Sequence, residues 1–172
     1  MKLSILITLL NEELVLSQTH AAISSQLEQM FGKELTDYEI LYVDDGSSDK
    51  TFELITAIAE ENPHVKYIRF SRNFGRESGI LAGFKYASGD AVMVMDGDLQ
   101  HPPYLIPLFL EAYNEGYDIV SGQRTREGES FIGSTFARMF YFLSNRSMDV
   151  KLTDGKSELR LLSRKAIDAF VS

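Results

Sequence analysis

Asp96 and Asp98 stand one residue apart in Met93-Val94-Met95-Asp96-Gly97-Asp98-Leu99-Gln100, directly after an apolar run. Side chains at i and i+2 of an extended segment point the same way, so the two carboxylates can converge on one cation. Carboxylates are hard oxygen donors that suit Mg²⁺ or Mn²⁺, above all where substrate phosphates complete the shell. A polar turn in which Asp and Gly only satisfy backbone geometry is the plain alternative. A second acidic cluster weighs toward a site, because Leu41-Tyr42-Val43-Asp44-Asp45-Gly46-Ser47 also ends a strand-like run. Ligands of open α/β sheets bind outside the carboxyl ends of strands.

The elements that must carry these residues follow from the hydrophobic pattern. Residues 3–10 form a nearly continuous apolar run, as in a strand covered on both faces. Residues 12–31 place Leu14, Ala21, Leu27 and Met30 at helical spacing. A strand is expected over 38–43, then a helix capped by Ser48 or Asp49 and stopped near Asn62 by Pro63. Strands follow at 65–70, 91–95 and 118–121, and helices at 77–87, 104–114 and 130–145. Pro102 and Pro103 suit the start of the helix over 104–114. The helix over 130–145 has an aromatic face of Phe131, Phe136, Phe140, Tyr141 and Phe142, read as core or as a surface for lipid or partner helices. Repeating βα units predict one α/β domain with a doubly wound, mostly parallel sheet and helices on both faces.

Composition narrows the function. At 172 residues, 44% hydrophobic and 11% aromatic, the chain can bury a core. A net charge of −8 and a pI near 4.9 argue against nucleic acid as a partner. Cations nevertheless crowd the last third, at Arg124, Arg126, Arg138, Arg146, Lys151, Lys156, Arg160, Arg164 and Lys165, which suits an anionic partner or a solvated helix face. Without cysteine there are no disulfides or thiolate sites, and His20, His64 and His101 show no ligand spacing. No run reaches the roughly 18 apolar residues of a membrane span. The chain stops at Phe170-Val171-Ser172 inside a helical pattern, so a fragment of something longer is expected.

Asn11-Glu12 follows the first strand, Asp44 to Asp49 the second, Ser71 to Arg76 the third and Asp96 to Asp98 the fourth. A nucleotide fits such an edge: acidic and amide groups for base and ribose, a divalent cation for the diphosphate, and Arg76 as a further cation. There is no G-x-x-x-x-G-K-[ST] loop, and no G-x-G-x-x-G follows the first strand.

These segments, with Gly79 to Gly83, Ser88-Gly89-Asp90, Gly122-Gln123-Arg124 and Arg160-Leu161-Leu162-Ser163-Arg164, resemble family 2 of the inverting, GT-A-fold glycosyltransferases. The polyprenyl-phosphate, dolichol-phosphate-mannose-synthase-like branch is the most similar. The resemblance implies a GT-A, Rossmann-like nucleotide-binding fold over 1–172. It implies that Asp45 and Glu12 hold the base, and that Asp96 and Asp98 bind a divalent cation, Mg or Mn, with the diphosphate. Asn11, Asp44, Ser47, Arg76 and Gln100 complete the expected nucleotide site. Arg124, Arg160 and Arg164 are expected near the acceptor or its phosphate.

Two departures stand out. Thr8-Leu9-Leu10 replaces the family's proline and aromatic before Asn-Glu, and Glu158-Leu159 replaces an acid and Phe. Glu158 is the position-matched candidate base, with Asp154 as the neighbouring alternative and a simple ion pair with a nearby Arg as the plainer role. The expected reaction transfers sugar from a nucleoside-diphosphate sugar to polyprenyl phosphate, at the cytoplasmic face of a membrane. A polysaccharide or other hydroxyl acceptor, or a non-catalytic sugar-nucleotide-binding module, are the alternatives. A nucleotidyltransferase would want a Gly-rich Arg/Lys loop that residues 3–13 lack.

Overall fold

A computed structural model describes residues 1–98, 100–123 and 156–171. The expected aromatic helix over 130–145 and the candidates Arg124 and Asp154 lie outside the described residues. The strands are β1 (Lys2–Leu9), β2 (Asp37–Asp44), β3 (Val65–Arg69), β4 (Ala91–Asp96), β5 (Ile119–Gln123) and β6 (Lys156–Ser163). The helices are α1 (Leu16–Met30), α2 (Thr51–Glu61), α3 (Arg76–Tyr86), α4 (Leu105–Asn114) and α5 (Arg164–Val171). They form one six-stranded sheet in the order β3-β2-β1-β4-β6-β5. The first four strands are parallel, and β6 runs antiparallel to both its neighbours.

Strict alternation along each strand feeds two cores. Leu3, Ile5, Ile7 and Leu9 of β1 pack with Ile40, Tyr42, Met93 and Met95 beneath α1, α2 and α4. Leu6, Leu41, Val43, Val92 and Val94 face Phe84 of α3 and Ile167 of α5. Covering both faces explains why the strands read as apolar runs. The doubly wound sheet with helices on both faces is therefore present. Strand order reverses beside β1, which puts the crevice for ligands at the carboxyl ends of β1, β2 and β4.

The structure refines these expectations locally. Helix α1 starts at Leu16 rather than at Glu12, and the N–H groups of Glu12 and Glu13 bond to Thr51 of α2 and to Asp49 just before it. Asp49 rather than Ser48 serves the start of α2, its Oδ1 accepting from the Thr51 N–H at 2.9 Å. Strand β6 is not among the expected elements, whereas α5 supplies the helical pattern expected at the end of the chain.

The amino edge holds a buried acid. Glu39 is 1% exposed, and its carboxylate accepts from Ser4 Oγ (2.6 Å), Ser88 N (2.6 Å), Ser88 Oγ (2.9 Å) and Lys66 Nζ (2.7 Å). Burial alone would raise its pKa, but the Lys66 ammonium and the hydrogen bonds from Ser4 and Ser88 outweigh that and hold it at about 2. A depressed carboxylate stabilises the fold fully above its unfolded value of 4.5, and this is lost as pH falls toward 2. The difference amounts to about 3 kcal/mol. Urea melts between pH 2 and 6 should show a steep loss of stability in the native protein and a flatter one in Glu39→Gln. Parallel profiles would refute the assignment.

Candidate active site

The loops after β1 and β2 are laced together. The β1–α1 loop turns at Asn11, with a left-handed φ of +56° that asparagine tolerates better than most residues. Its N–H donates to Ser47 Oγ (2.9 Å), and its Oδ1 accepts from the Ser48 N–H (2.9 Å). The Glu12 N–H donates to Thr51 Oγ1 (2.8 Å) and the Glu13 N–H to Asp49 Oδ2 (3.1 Å). Glu13 Oε2 returns the contact by accepting from the Lys50 N–H at 2.9 Å.

The acidic pair after β2 is turned into the protein. Asp44 is fully buried; its Oδ1 accepts from the Ser47 N–H (3.1 Å), and Arg69 Nε lies 3.3 Å from Oδ2 without hydrogen-bond geometry. Asp45, 4% exposed, accepts from the N–H groups of Phe74 (2.7 Å) and Gly75 (2.9 Å), one on each oxygen. Asp45 thus fixes the β3–α3 loop from which Arg76 emerges.

At the end of β4 the chain turns sooner than expected. The strand stops at Asp96 and Gly97-Asp98 lies in a turn, so the extended geometry expected of the pair applies to Asp96 alone. Thr19 Oγ1 of α1 donates to the Gly97 carbonyl (2.7 Å), and a Cβ at position 97 would come within 2.3 Å of Leu9 Cδ2. The turn is therefore seated tightly on α1 and β1. Asp98 accepts from the Gln100 N–H (3.1 Å) and from the Gln100 side-chain amide. Arg76 Nη2 donates to Asp96 Oδ1 at 2.6 Å, and His101 Nδ1 lies 3.1 Å from Oδ2. His101 was passed over for want of ligand spacing; its place three residues after Asp98, in the same loop, was the available signal.

Negative charge gathers at this edge. The Glu12 carboxyl is raised above its ordinary pKa, first by burial and then by the nearby charges of Asp98 and Asp49. A divalent cation would relieve that crowding. Among the described residues no group of three or more His, Cys, Asp or Glu is arranged to hold a metal ion by itself. Mg²⁺ is ordinarily held by one or two carboxylates together with substrate phosphates, and the Asp96–Asp98 donor set fits that pattern.

The arginines divide. Arg160 pairs across the sheet with Val94. Alternation puts it on the same face as Val94 and Asp96, with Asp96 its diagonal neighbour at about 7–8 Å between backbones. Glu158 lies two residues nearer the carboxyl edge on the same strand. Arg164 is not brought to this edge. Its guanidinium donates to the carbonyls of Ala87 (2.7 Å) and Gly89 (2.7 and 3.1 Å), just before β4. Because β6 runs antiparallel, the chain reaches the amino edge at Ser163, and residue 164 must emerge there. Arg164 links α5 to the α3–β4 loop.

Residues 4–170 match the family model described as Glycosyl transferase family 2. The chain belongs to this family. This family 2 domain is 44% identical over 169 residues to CsbB of Bacillus subtilis (strain 168), covering 98% of this chain and 50% of that protein. It is 36% identical over 176 residues to the undecaprenyl-phosphate 4-deoxy-4-formamido-L-arabinose transferase of Yersinia enterocolitica, covering 99% of this chain and 51% of that one. It thus spans about half the length of these relatives. Among solved structures, Staphylococcus aureus TarS 1-349 aligns with a TM-score of 0.64 at 17% identity, over 99% of this chain and 49% of that chain. The Pyrobaculum calidifontis mannosyltransferase PcManGT, in complex with GDP-Man and Mn²⁺, gives 0.60 at 19%, over 71% and 35%. The 4-diphosphocytidyl-2C-methyl-D-erythritol synthase of Anaerococcus prevotii gives 0.62 at 18%, over 98% and 73%. Likeness at this identity establishes the GT-A fold and nothing finer; the family assignment comes from sequence. No helix among the described residues is long and apolar enough to cross a membrane.

Proposed function

We propose that this domain moves a sugar from a nucleoside-diphosphate sugar to a polyprenyl phosphate, by a metal-dependent single displacement that inverts the anomeric carbon. The observation that carries the reading is the meeting of Asp96, Asp98, Glu12 and Arg76 at the switch point of the sheet. The 36% identity to a transferase named for undecaprenyl phosphate supports the acceptor class. Asn11, Glu12, Asp44, Asp45, Ser47 and Gln100 border or shape the nucleotide site. Asp96 and Asp98 would hold Mg²⁺ or Mn²⁺, which supplies charge neutralisation for the departing diphosphate.

The domain's own groups do the rest. Arg76 stands beside Asp96 as a cation for the leaving group. Arg160, exposed and on the same face, positions an anionic acceptor. A phosphate acceptor, with a second pKa of about 6, arrives largely ionised and needs positioning more than deprotonation. Glu158 serves as base where the acceptor is a hydroxyl. Such a lipid acceptor would bring the reaction to a membrane surface, which we assign to the cytoplasmic face.

The test uses the full-length protein with labelled nucleotide sugar, offered either polyprenyl phosphate or an oligosaccharide. Transfer to the lipid phosphate is expected. In Arg160→Ala that transfer should fall by about tenfold or more, the scale of one charge-assisted hydrogen bond, with nucleotide affinity unchanged. Ready transfer to a neutral hydroxyl acceptor, with polyprenyl phosphate ignored, would overturn the assignment.

A further inference from the structure

Asp96 already has a cationic neighbour in Arg76. Its Oδ1 takes a 2.6 Å hydrogen bond from Arg76 Nη2, while His101 Nδ1 stands 3.1 Å from Oδ2. The carboxylate that the proposed function gives to a divalent cation is thus held by Arg76 on Oδ1, with His101 close to Oδ2 but without hydrogen-bond geometry. We propose that Arg76 is the resident counter-ion of Asp96, so that a divalent cation and Arg76 compete for this carboxylate. The inference rests on the reading of Asp96 and Asp98 as a cation site.

Physical chemistry favours exchange over coexistence. A dication bound at Asp96 and a guanidinium 2.6 Å from the same oxygen repel at short range, and the site is partly shielded from water, the two side chains being 31% and 21% exposed. Arg76 is also the first residue of α3. The amino end of a helix disfavours a cation and favours an anion, so Asp96 is what makes Arg76 comfortable there. Once Asp96 turns to a metal, an incoming diphosphate becomes the natural partner for the guanidinium.

The anchoring of the loop makes the exchange a side-chain event. Asp45 grips the N–H groups of Phe74 and Gly75, immediately before Arg76, so the backbone root of the arginine stays fixed. Four bonds of side chain remain to swing. Arg76 would thereby hold Asp96 in place before the cation arrives and pass to the phosphates afterwards.

The test is titration of Mn²⁺ alone, followed by loss of the free-ion electron paramagnetic resonance signal, into native protein, Arg76→Gln and Arg76→Lys. Arg76→Gln should bind Mn²⁺ about tenfold tighter than the native protein, as expected when one close like charge leaves a site, and Arg76→Lys should stay near native. Inorganic pyrophosphate with Mn²⁺ should show the reverse order, Arg76→Gln being the weaker. Equal or weaker Mn²⁺ binding in Arg76→Gln would overturn the inference. If the native protein binds Mn²⁺ with pyrophosphate all the same, the cation site survives and only the competition fails. If neither protein binds Mn²⁺ under any condition, the cation site itself is wrong and the inference falls with it. Should Arg76→Gln fold poorly, the native protein decides: adding Mg²⁺ must shift the Arg76 Nε resonance, and an unmoved resonance overturns the exchange.

Discussion

Asp98→Ala should weaken Mg²⁺- or Mn²⁺-dependent binding of a nucleoside diphosphate by about a hundredfold or more, since even groups that only support a metal ligand contribute 10–100-fold. The melting temperature should barely move. Asp98 sits in a turn, and its carboxylate bonds only to Gln100 in the contacts described above, so little of the fold depends on it. Calorimetric titration of UDP and GDP, with metal and with chelator, measures both halves of the claim. The variant carries its own internal reporter. Glu12 is held above its ordinary pKa partly by Asp98, so its carboxyl should titrate lower once that charge is gone. Binding that is the same with and without chelator in the native protein would remove the cation from the mechanism.

A large effect, this time on stability, is expected at Gly46. Its φ of +77° lies in the left-handed region, and a Cβ there would meet Arg72 C at 2.5 Å, Arg72 Cα at 2.7 Å and the Asn73 nitrogen at 2.9 Å. All three are backbone atoms, so no rotamer change relieves the overlap. The left-handed conformation alone costs a non-glycine residue roughly 1–2 kcal/mol, and the clash adds to it. Gly46→Ala should therefore lose about 3 kcal/mol in urea unfolding. It should also lose nucleotide affinity while still folded, because Gly46 separates Asp45, which holds the β3–α3 loop, from Ser47, which holds Asn11. A loss below about 1 kcal/mol would mean that the two loops do not approach this closely.

Much of this architecture could be read from residue types. Strands buried on both faces announce themselves as apolar runs, and the alternation of such runs with amphipathic stretches dictates a doubly wound sheet. The gathering of Asn11, Asp45, Arg76 and Asp96 at one edge followed from that alone, since the first four strands are parallel. What escaped was non-local. Strand β6 reads Lys156-Ser157-Glu158-Leu159-Arg160-Leu161-Leu162-Ser163, where charges break the apolar run and Arg160 is exposed. Without that strand no residue type sends Arg164 to the opposite edge. Nor do residue types reveal whether a carboxylate faces solvent or folds back onto amides. Asp45 and Asp98 look alike in sequence, yet one clasps a neighbouring loop and the other stays in its own turn.

Loops are where chains usually accept insertions and cuts, because little else depends on them. The α3–β4 loop is an exception. Ser88 ties it to β2 through Glu39, the Gly89 N–H bonds to Ser4 of β1, Asp90 Oδ2 accepts from the Lys2 N–H, and Arg164 of α5 grips the carbonyls of Ala87 and Gly89. Three separate elements, β1, β2 and α5, converge on a few residues that carry none of the chemistry proposed above. For protein engineering, that makes positions 87–90 a keystone rather than a splice point: a tag, a new terminus or an inserted domain there would unfasten β1 and β2, far from the carboxyl edge where the loss would be noticed.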